Sequence, residues 1–255
     1  MLVENADASI VFSDLDKEIL CRYTKASPKS KIYIIHNGID GTLPELSRED
    51  IREVFAKYNI PPEQNYLIFL GDATNPRKGA FQAVQAFRRV RYKLANTHLI
   101  IAGPWGNRLK TSTGMKRTIK LLNKLAKAGK VTVTGYVSDF DKVALLSGAD
   151  ILLSPTIYDS FGIVLAEALF CKTPVVATKI GGVVHTVRSN IDGILVNGAD
   201  NTEGFARACI KLLKNKPLAK KMGEMGHRRV KKLFLWENTV AKMQNLYERL
   251  IRHKK

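Results

Sequence analysis

The chain has 255 residues, 45% of them hydrophobic, which suffices for one sizeable domain or for one domain plus part of another. No run approaches the ~18 uninterrupted apolar residues needed to span a bilayer, and no basic segment with an apolar signal core follows Met1, so the expected class is a soluble, cytoplasmic protein. Lysine and arginine total 41 against 23 acidic residues, a net +18 that favours anionic partners: phosphorylated small molecules, an anionic membrane surface or nucleic acid.

Residues 8–13, ASIVFS, read as a short buried strand, and Ser13 then caps a helix with the acidic first turn DLD. KIYIIH at 31–36 is a second strand, ended by the turn pair Asn37, Gly38, and Ser47 caps the helical stretch SREDIREVFAKY. From Pro61 onward the pattern becomes regular. Apolar runs recur at 66–70, 98–102, 131–134, 150–154, 174–178 and 193–196, separated by helical patterns. Continuous rather than alternating apolar strands, interleaved with helices, predict an α/β domain: a doubly wound, Rossmann-like parallel sheet covered on both faces. Beyond Asn201 three helices are expected, the last from about Trp236 to His253.

Cys21, Cys171 and Cys209 are far apart and sit in apolar helical patterns, which predicts reduced, packed thiols. The positive surplus concentrates at 110–130 and 211–255 on amphipathic helical patterns, where it reads either as a solvated face or as a surface for an anionic membrane. No nucleic-acid recognition motif accompanies it, so nucleic acid is the least favoured partner.

In an open parallel sheet, ligands bind outside the carboxyl ends of the strands. After the strand at 66–70 the loop GDATNPRKG, Gly71 to Gly79, combines flexible backbone, Arg77, Lys78 and a following helix start, which suits a diphosphate and equally suits a plain turn. Trp105 and, after the strand at 131–134, Tyr136 either frame a planar base or cover the sheet end. After the strand at 150–154, Asp159 and Ser160 lead into a helix starting near Phe161, with Asp159 either a ligand contact or a helix cap. That helix carries Glu167 alone among apolar residues, which calls for something that binds a carboxylate. Gly181 and Gly182 imply close backbone approach, to a ligand or to another loop, and His185 one turn on reads as a surface or packing residue. There is no nucleophile elbow and no metal-ligand spacing, so no metal or cofactor is expected.

HNGID at 36–40 and ADILLSPTIYDSFGIVLAEALFCKTPVVATKIGG at 149–182 resemble the signature segments of the retaining, two-lobed glycosyltransferases of family 4, the GT-B architecture. The resemblance covers essentially the whole chain and places it as the C-terminal, donor-binding lobe. In the family's acid pair seven residues separate the two acids, and Asp159 and Glu167 keep that spacing. The resemblance implies that Glu167 binds the ribose hydroxyls of a nucleoside diphosphate sugar and that Asp159, Ser160 and the backbone of Phe161, Gly162 and Ile163 hold the sugar and diphosphate. It also implies that Lys78 neutralises the diphosphate beside Gly71 and that the Val137 backbone frames the base; Asp159 and Lys78 would act in catalysis. Three positions depart from the pattern: Asp72 stands where an arginine follows the glycine, leaving Arg77 to replace it; Asp159 stands for a glutamate; and His185 stands for another glutamate.

The same resemblance makes residues 1–40 a remnant of an N-terminal lobe and linker, 41–235 the donor-binding domain, and 236–255 a helix crossing back to the missing lobe. The apolar face Val240, Met243, Leu246, Leu250 of that helix is expected to lie exposed. Two functions follow: a glycosyltransferase moiety completed by an N-terminal lobe, either lost by truncation or carried on another chain, with a lipid-linked acceptor at a membrane surface; or a non-catalytic nucleotide-sugar binding subunit.

Overall fold

A computed structural model of the chain describes residues 6–24, 31–42, 44–104 and 113–252, with backbone alone for 113–118. It begins with β1 (Ser9–Val11), α1 (Asp14–Tyr23) and β2 (Ile32–Ile34), and the two strands pair in parallel as a small sheet of their own. Ser13 caps α1 by accepting the Asp16 N–H, as its place before an acidic turn requires. Next comes α2 (Arg48–Lys57), opened by a reciprocal capping box between Ser47 and Asp50.

The main domain continues with β3 (Asn65–Leu70), a 3₁₀ turn (Pro76–Lys78), α3 (Ala80–Lys93), β4 (Thr97–Ala102), α4 (Thr113–Lys127), β5 (Val131–Gly135), α5 (Asp139–Gly148) and β6 (Ile151–Ser154). It is completed by α6 (Ile163–Phe170), β7 (Val175–Thr178), the single turn α7 (Val183–Thr186), β8 (Gly193–Val196), α8 (Thr202–Lys214), α9 (Lys216–Leu233) and α10 (Trp236–Arg252). All six strands β3 to β8 run parallel in the order β5-β4-β3-β6-β7-β8, a doubly wound sheet whose order reverses between β3 and β6.

The apolar runs are continuous because each strand is buried on both faces. Leu67, Phe69, Leu99, Ile101, Ile151 and Leu153 face one core with α3, α4 and α8, whereas the alternating Ile68, Ile100 and Leu152 face the other with α2, α5, α6 and α9. The chain crosses between β2 and the main domain at Ile39, whose N–H donates to the Phe234 carbonyl (2.8 Å) while its own carbonyl accepts the Trp236 N–H (3.1 Å). Among the cysteines, Cys209 is buried and Cys21 and Cys171 are half-buried, all three as free thiols. The expected exposed face of α10 is corrected in part. Leu246 is buried beside a hollow that Tyr33, Ile34 and Ile35 also line, Met243 and Leu250 are half-buried, and of the four only Val240 stays exposed, together with Trp236, Tyr247 and Ile251 elsewhere on the helix.

Candidate active site

The loops after β3 and β6 meet where the strand order reverses. Asn75 starts the 3₁₀ turn by accepting the Arg77 N–H, and Gly79, at φ +78°, then swings the chain into α3. A side chain at Gly79 would place its Cβ 1.9 Å from the Pro155 carbonyl oxygen, so the two loops interlock at backbone distance. The Arg77 carbonyl accepts both the Ile157 N–H (2.8 Å) and the Thr156 hydroxyl (2.9 Å). Arg77 thereby contributes its backbone carbonyl to the joint, and the residue lines the cleft.

Across this joint lies a cleft of about 280 Å³ lined by Asn75, Arg77, Lys78, Tyr158, Asp159, Ser160, Phe161, Gly162 and Ile163, with Phe12 and Asn37 from the N-terminal segment. A groove between α3 and α8 is larger, about 550 Å³, but it lies on the flank of the sheet, away from the strand ends where parallel sheets bind ligands. Seven of the ten sequence-predicted site residues meet in the smaller cleft; Gly71, Val137 and Glu167 stand outside its lining.

Asp159 does not cap α6, whose N-cap is Gly162 without a side-chain bond, but orders the turn before it. One carboxylate oxygen accepts the N–H groups of Phe161 (3.2 Å) and Gly162 (2.6 Å), ordering the entry to α6, and the other meets Lys78 Nζ at 3.0 Å. The Phe161 ring is buried, stacked on His36 at 5.8 Å and edge-on to Phe234 at 5.2 Å, so Phe161 faces the cleft through its backbone. Gly181 and Gly182 approach a loop: the Gly182 N–H donates to the Asp159 carbonyl (3.1 Å), and a Cβ there would fall 1.7 Å from the Ser160 carbonyl oxygen.

The N-terminal segment adds polar clasps. Tyr158 donates its hydroxyl to Asp16 (2.7 Å) and lies 3.1 Å from the Ser160 hydroxyl, and His185 Nε2 sits 3.2 Å from Asp14. His185 also packs on His36. Burial, reinforced by the neighbouring His185, Lys242 and Arg229, lowers the His36 pKa against its bond to the Phe12 carbonyl and favours the neutral ring. Asp72, in the place of an arginine, spends its carboxylate on its own loop by accepting from Thr74.

Glu167 does have a partner. Lys142 of α5 donates to Glu167 Oε1 at 2.8 Å and contacts Asp139 at 3.0 Å. Burial works against the Lys142 ammonium, but hydrogen bonds to the two carboxylates outweigh it and raise its pKa. Val137 lies half-buried just before α5, the helix whose Lys142 reaches Glu167. Tyr136 is 83% exposed and does not cover the sheet end, and Trp105 lies outside the described residues.

The family profile described as glycosyl transferases group 1 matches residues 50–229, which include every element carrying these loops except the N-terminal clasps. The chain belongs to that family. The D-inositol 3-phosphate glycosyltransferase of Mycobacterium tuberculosis (strain ATCC 25618 / H37Rv) is 30% identical over 257 residues, covering 98% of this chain and 50% of that protein. The chain thus spans about half the length of the curated relatives it matches. Sucrose-phosphate synthase from Thermosynechococcus elongatus superposes with a TM-score of 0.82 at 26% identity, over 99% of this chain and 60% of the other. Anabaena HepE in complex with UDP and glucose superposes at 0.80 with 19% identity, over 96% and 63%, a likeness of fold alone.

Within this group 1 glycosyl transferase chain, sequence reasoning had not singled out Lys142, Tyr158, Asn37 or Asn75 as site residues. Lys142 carried a usable signal, standing three residues after Asp139 on the helix that follows Val137, but its pairing with Glu167 spans 25 residues and is set by packing of α5 on α6. No helix among the described residues is long and apolar enough to cross a membrane.

Proposed function

We propose that this chain is the donor-binding part of a retaining glycosyltransferase of family 4 that binds a nucleoside diphosphate sugar and transfers the sugar to an acceptor. The observation that carries the reading is the cleft at the strand-order switch, lined together by Arg77, Lys78, Asp159 and the first turn of α6, with Lys78 paired to Asp159. Two cations and a helix N-terminus suit a diphosphate, and a carboxylate within reach of the same lysine suits sugar hydroxyls. Outside the cleft, Glu167 receives the ribose hydroxyls, the Val137 backbone frames the base, and Gly71 lines the approach.

In this reading the chain accelerates transfer by stabilising the departing diphosphate. Lys78, Arg77 and the α6 N-terminus hold charge that develops as the bond to the anomeric carbon breaks, while the acceptor attacks from the same face. Residues 1–40 belong to an N-terminal lobe and linker, 41–235 to the donor domain and 236–255 to the crossing helix. The side-by-side placement of Ile39 and the 234–236 segment supports that division. The lobe that brings the acceptor comes from elsewhere in a longer chain or from a partner. The basic helices fit a cytoplasmic protein working at an anionic membrane surface on a lipid-linked acceptor.

Calorimetric titration with UDP, GDP, ADP and their glucose conjugates tests the reading. One nucleotide class should bind, and Glu167→Ala should lose most of that affinity. Absence of binding to all of them overturns it.

A further inference from the structure

Glu167 projects from α6, a helix whose other residues are apolar, and its side chain is only 15% exposed. An ionised carboxylate in such a place is costly without a partner. Lys142, itself 21% exposed, supplies the partner: its ammonium is 2.8 Å from Glu167 Oε1. Its second acid, Asp139, is 89% exposed, where an ion pair contributes little. The bond that matters to Lys142 is therefore the one to Glu167.

The helix that carries Lys142 is held from the other side. Asp141 is buried and accepts from Lys57 Nζ and the Tyr58 hydroxyl of the α2 end, each at 2.7 Å, while Ser138 caps α5 by accepting the Asp141 N–H at 3.1 Å. Val137 immediately precedes this cap. Asp141 and Lys142 are consecutive residues in the first turn of α5, so the bonds to α2 and to Glu167 fix the same end of the helix, the end that Val137 leads into, and together they hold the Val137 backbone in place relative to the Glu167 carboxylate. In the proposed function these two hold the base and the ribose, the adjoining halves of one nucleoside. A carboxylate has about four lone-pair sites, so one oxygen can take Lys142 while the other remains directed at paired hydroxyls.

We infer that Lys142 is a nucleoside-positioning residue: its bond to one oxygen holds the Glu167 carboxylate in the orientation that reads the ribose hydroxyls of the donor, and so sets the preference for ribonucleotides over deoxyribonucleotides. The inference rests on the proposed role of Glu167. It does not place Lys142 on the substrate.

The test compares UDP with 2′-deoxy-UDP by calorimetry on the full chain, or GDP or ADP with its deoxy counterpart if that nucleotide binds best. Wild type should favour the ribonucleotide by on the order of tenfold, the value of one hydrogen bond to a charged group. Glu167→Ala should abolish the preference, Lys142→Met should reduce it to nearly the same level, and Lys142→Arg should restore most of it. Lys142→Met in the Glu167→Ala background should have no further effect, and Asp139→Asn should leave the preference unchanged. Thermal unfolding of each variant separates misfolding from altered recognition. If Glu167→Ala abolishes the preference and a folded Lys142→Met retains it, Lys142 is overturned and the site reading stands. If wild type binds both nucleotides equally, or Glu167→Ala keeps the preference, the role of Glu167 falls and the inference with it.

Discussion

Lys78 Nζ and Asp159 Oδ2 stand 3.0 Å apart, joining the loops after β3 and β6 across 81 residues of sequence. Because Asp159 also orders the Phe161 and Gly162 amides through its other oxygen, its charge and its turn can be separated by substitution. Asp159→Asn can keep the turn while removing a negative charge beside the proposed diphosphate position. Lys78→Met should weaken UDP binding by on the order of 10- to 100-fold, since a charge-assisted contact is lost. Asp159→Asn should bind UDP at least as well as wild type, and Asp159→Ala, with the turn's side-chain bonds gone, should bind it less well than Asp159→Asn. Equal UDP affinity in Lys78→Met and wild type, by calorimetry, would remove the lysine from the diphosphate site.

Gly182 packs against the same loop. A Cβ at this position would lie 1.7 Å from the Ser160 carbonyl oxygen and 2.7 Å from the Phe161 nitrogen, both backbone atoms that no rotamer change can move. Gly182→Ala must displace the 159–162 segment, at a cost of roughly 1–3 kcal/mol for overpacking. We expect a lower unfolding midpoint together with loss of UDP binding. A variant that unfolds early yet binds UDP normally would show that the loop position does not matter to the ligand.

What the sequence made legible was whatever is decided locally. Ser13 and Ser47 announce their helices because a cap needs only its own next turn, and the strands announce themselves because burial on both faces leaves no polar alternation. The spacing of Asp159 and Glu167 also survives as a local signal. Their partners do not. Lys142 reaches Glu167, and Tyr158 reaches Asp16 across 142 residues, through packing of helices that no local pattern encodes. Paired glycines likewise signalled close approach, but only three-dimensional contact shows that Gly182 approaches the Ser160 backbone. The α10 face was half misread for the same reason, since Leu246 is covered beside β2, a distant strand.

His98 gives the fold a pH dependence of predictable sign. It lies in β4, 2% exposed, with Nε2 2.9 Å from the Thr132 hydroxyl, and burial, helped by nearby Arg91, lowers its pKa to about 4. In the unfolded chain the ring titrates near 6.5, so between these values the unfolded state binds the extra proton and stability falls as the pH is lowered. The loss from this residue should be on the order of 2–3 kcal/mol between pH 6.5 and 4. Denaturant unfolding across that range should show a shallower decline in His98→Gln than in wild type. Parallel slopes in the two proteins would mean that His98 does not titrate as its burial requires.

Asp192 secures the segment behind the site. It is 0% exposed and accepts from Arg188 Nε at 2.8 Å and Nη2 at 2.6 Å, with Arg229 Nε 3.9 Å away. The two arginines would respond differently to its loss. Arg188 is partly open to solvent and can turn outward, whereas Arg229 is held by a bond from its Nη2 to the His185 carbonyl (2.7 Å) and by the Phe234 ring beneath it, with its buried Nε already lacking a hydrogen-bond partner. Burial, with repulsion from Arg188, lowers the Arg229 pKa, and Asp192 is the charge that offsets this. Asp192→Ala should therefore cost about 3 kcal/mol, the penalty for leaving a buried charge uncompensated. Because the stranded charge is that of Arg229, adding Arg229→Met to Asp192→Ala should recover a substantial part of the loss, and adding Arg188→Met should recover little. Denaturant midpoints of the single and double variants decide between them, and equal recovery by both methionines would refute the assignment of the cost to Arg229.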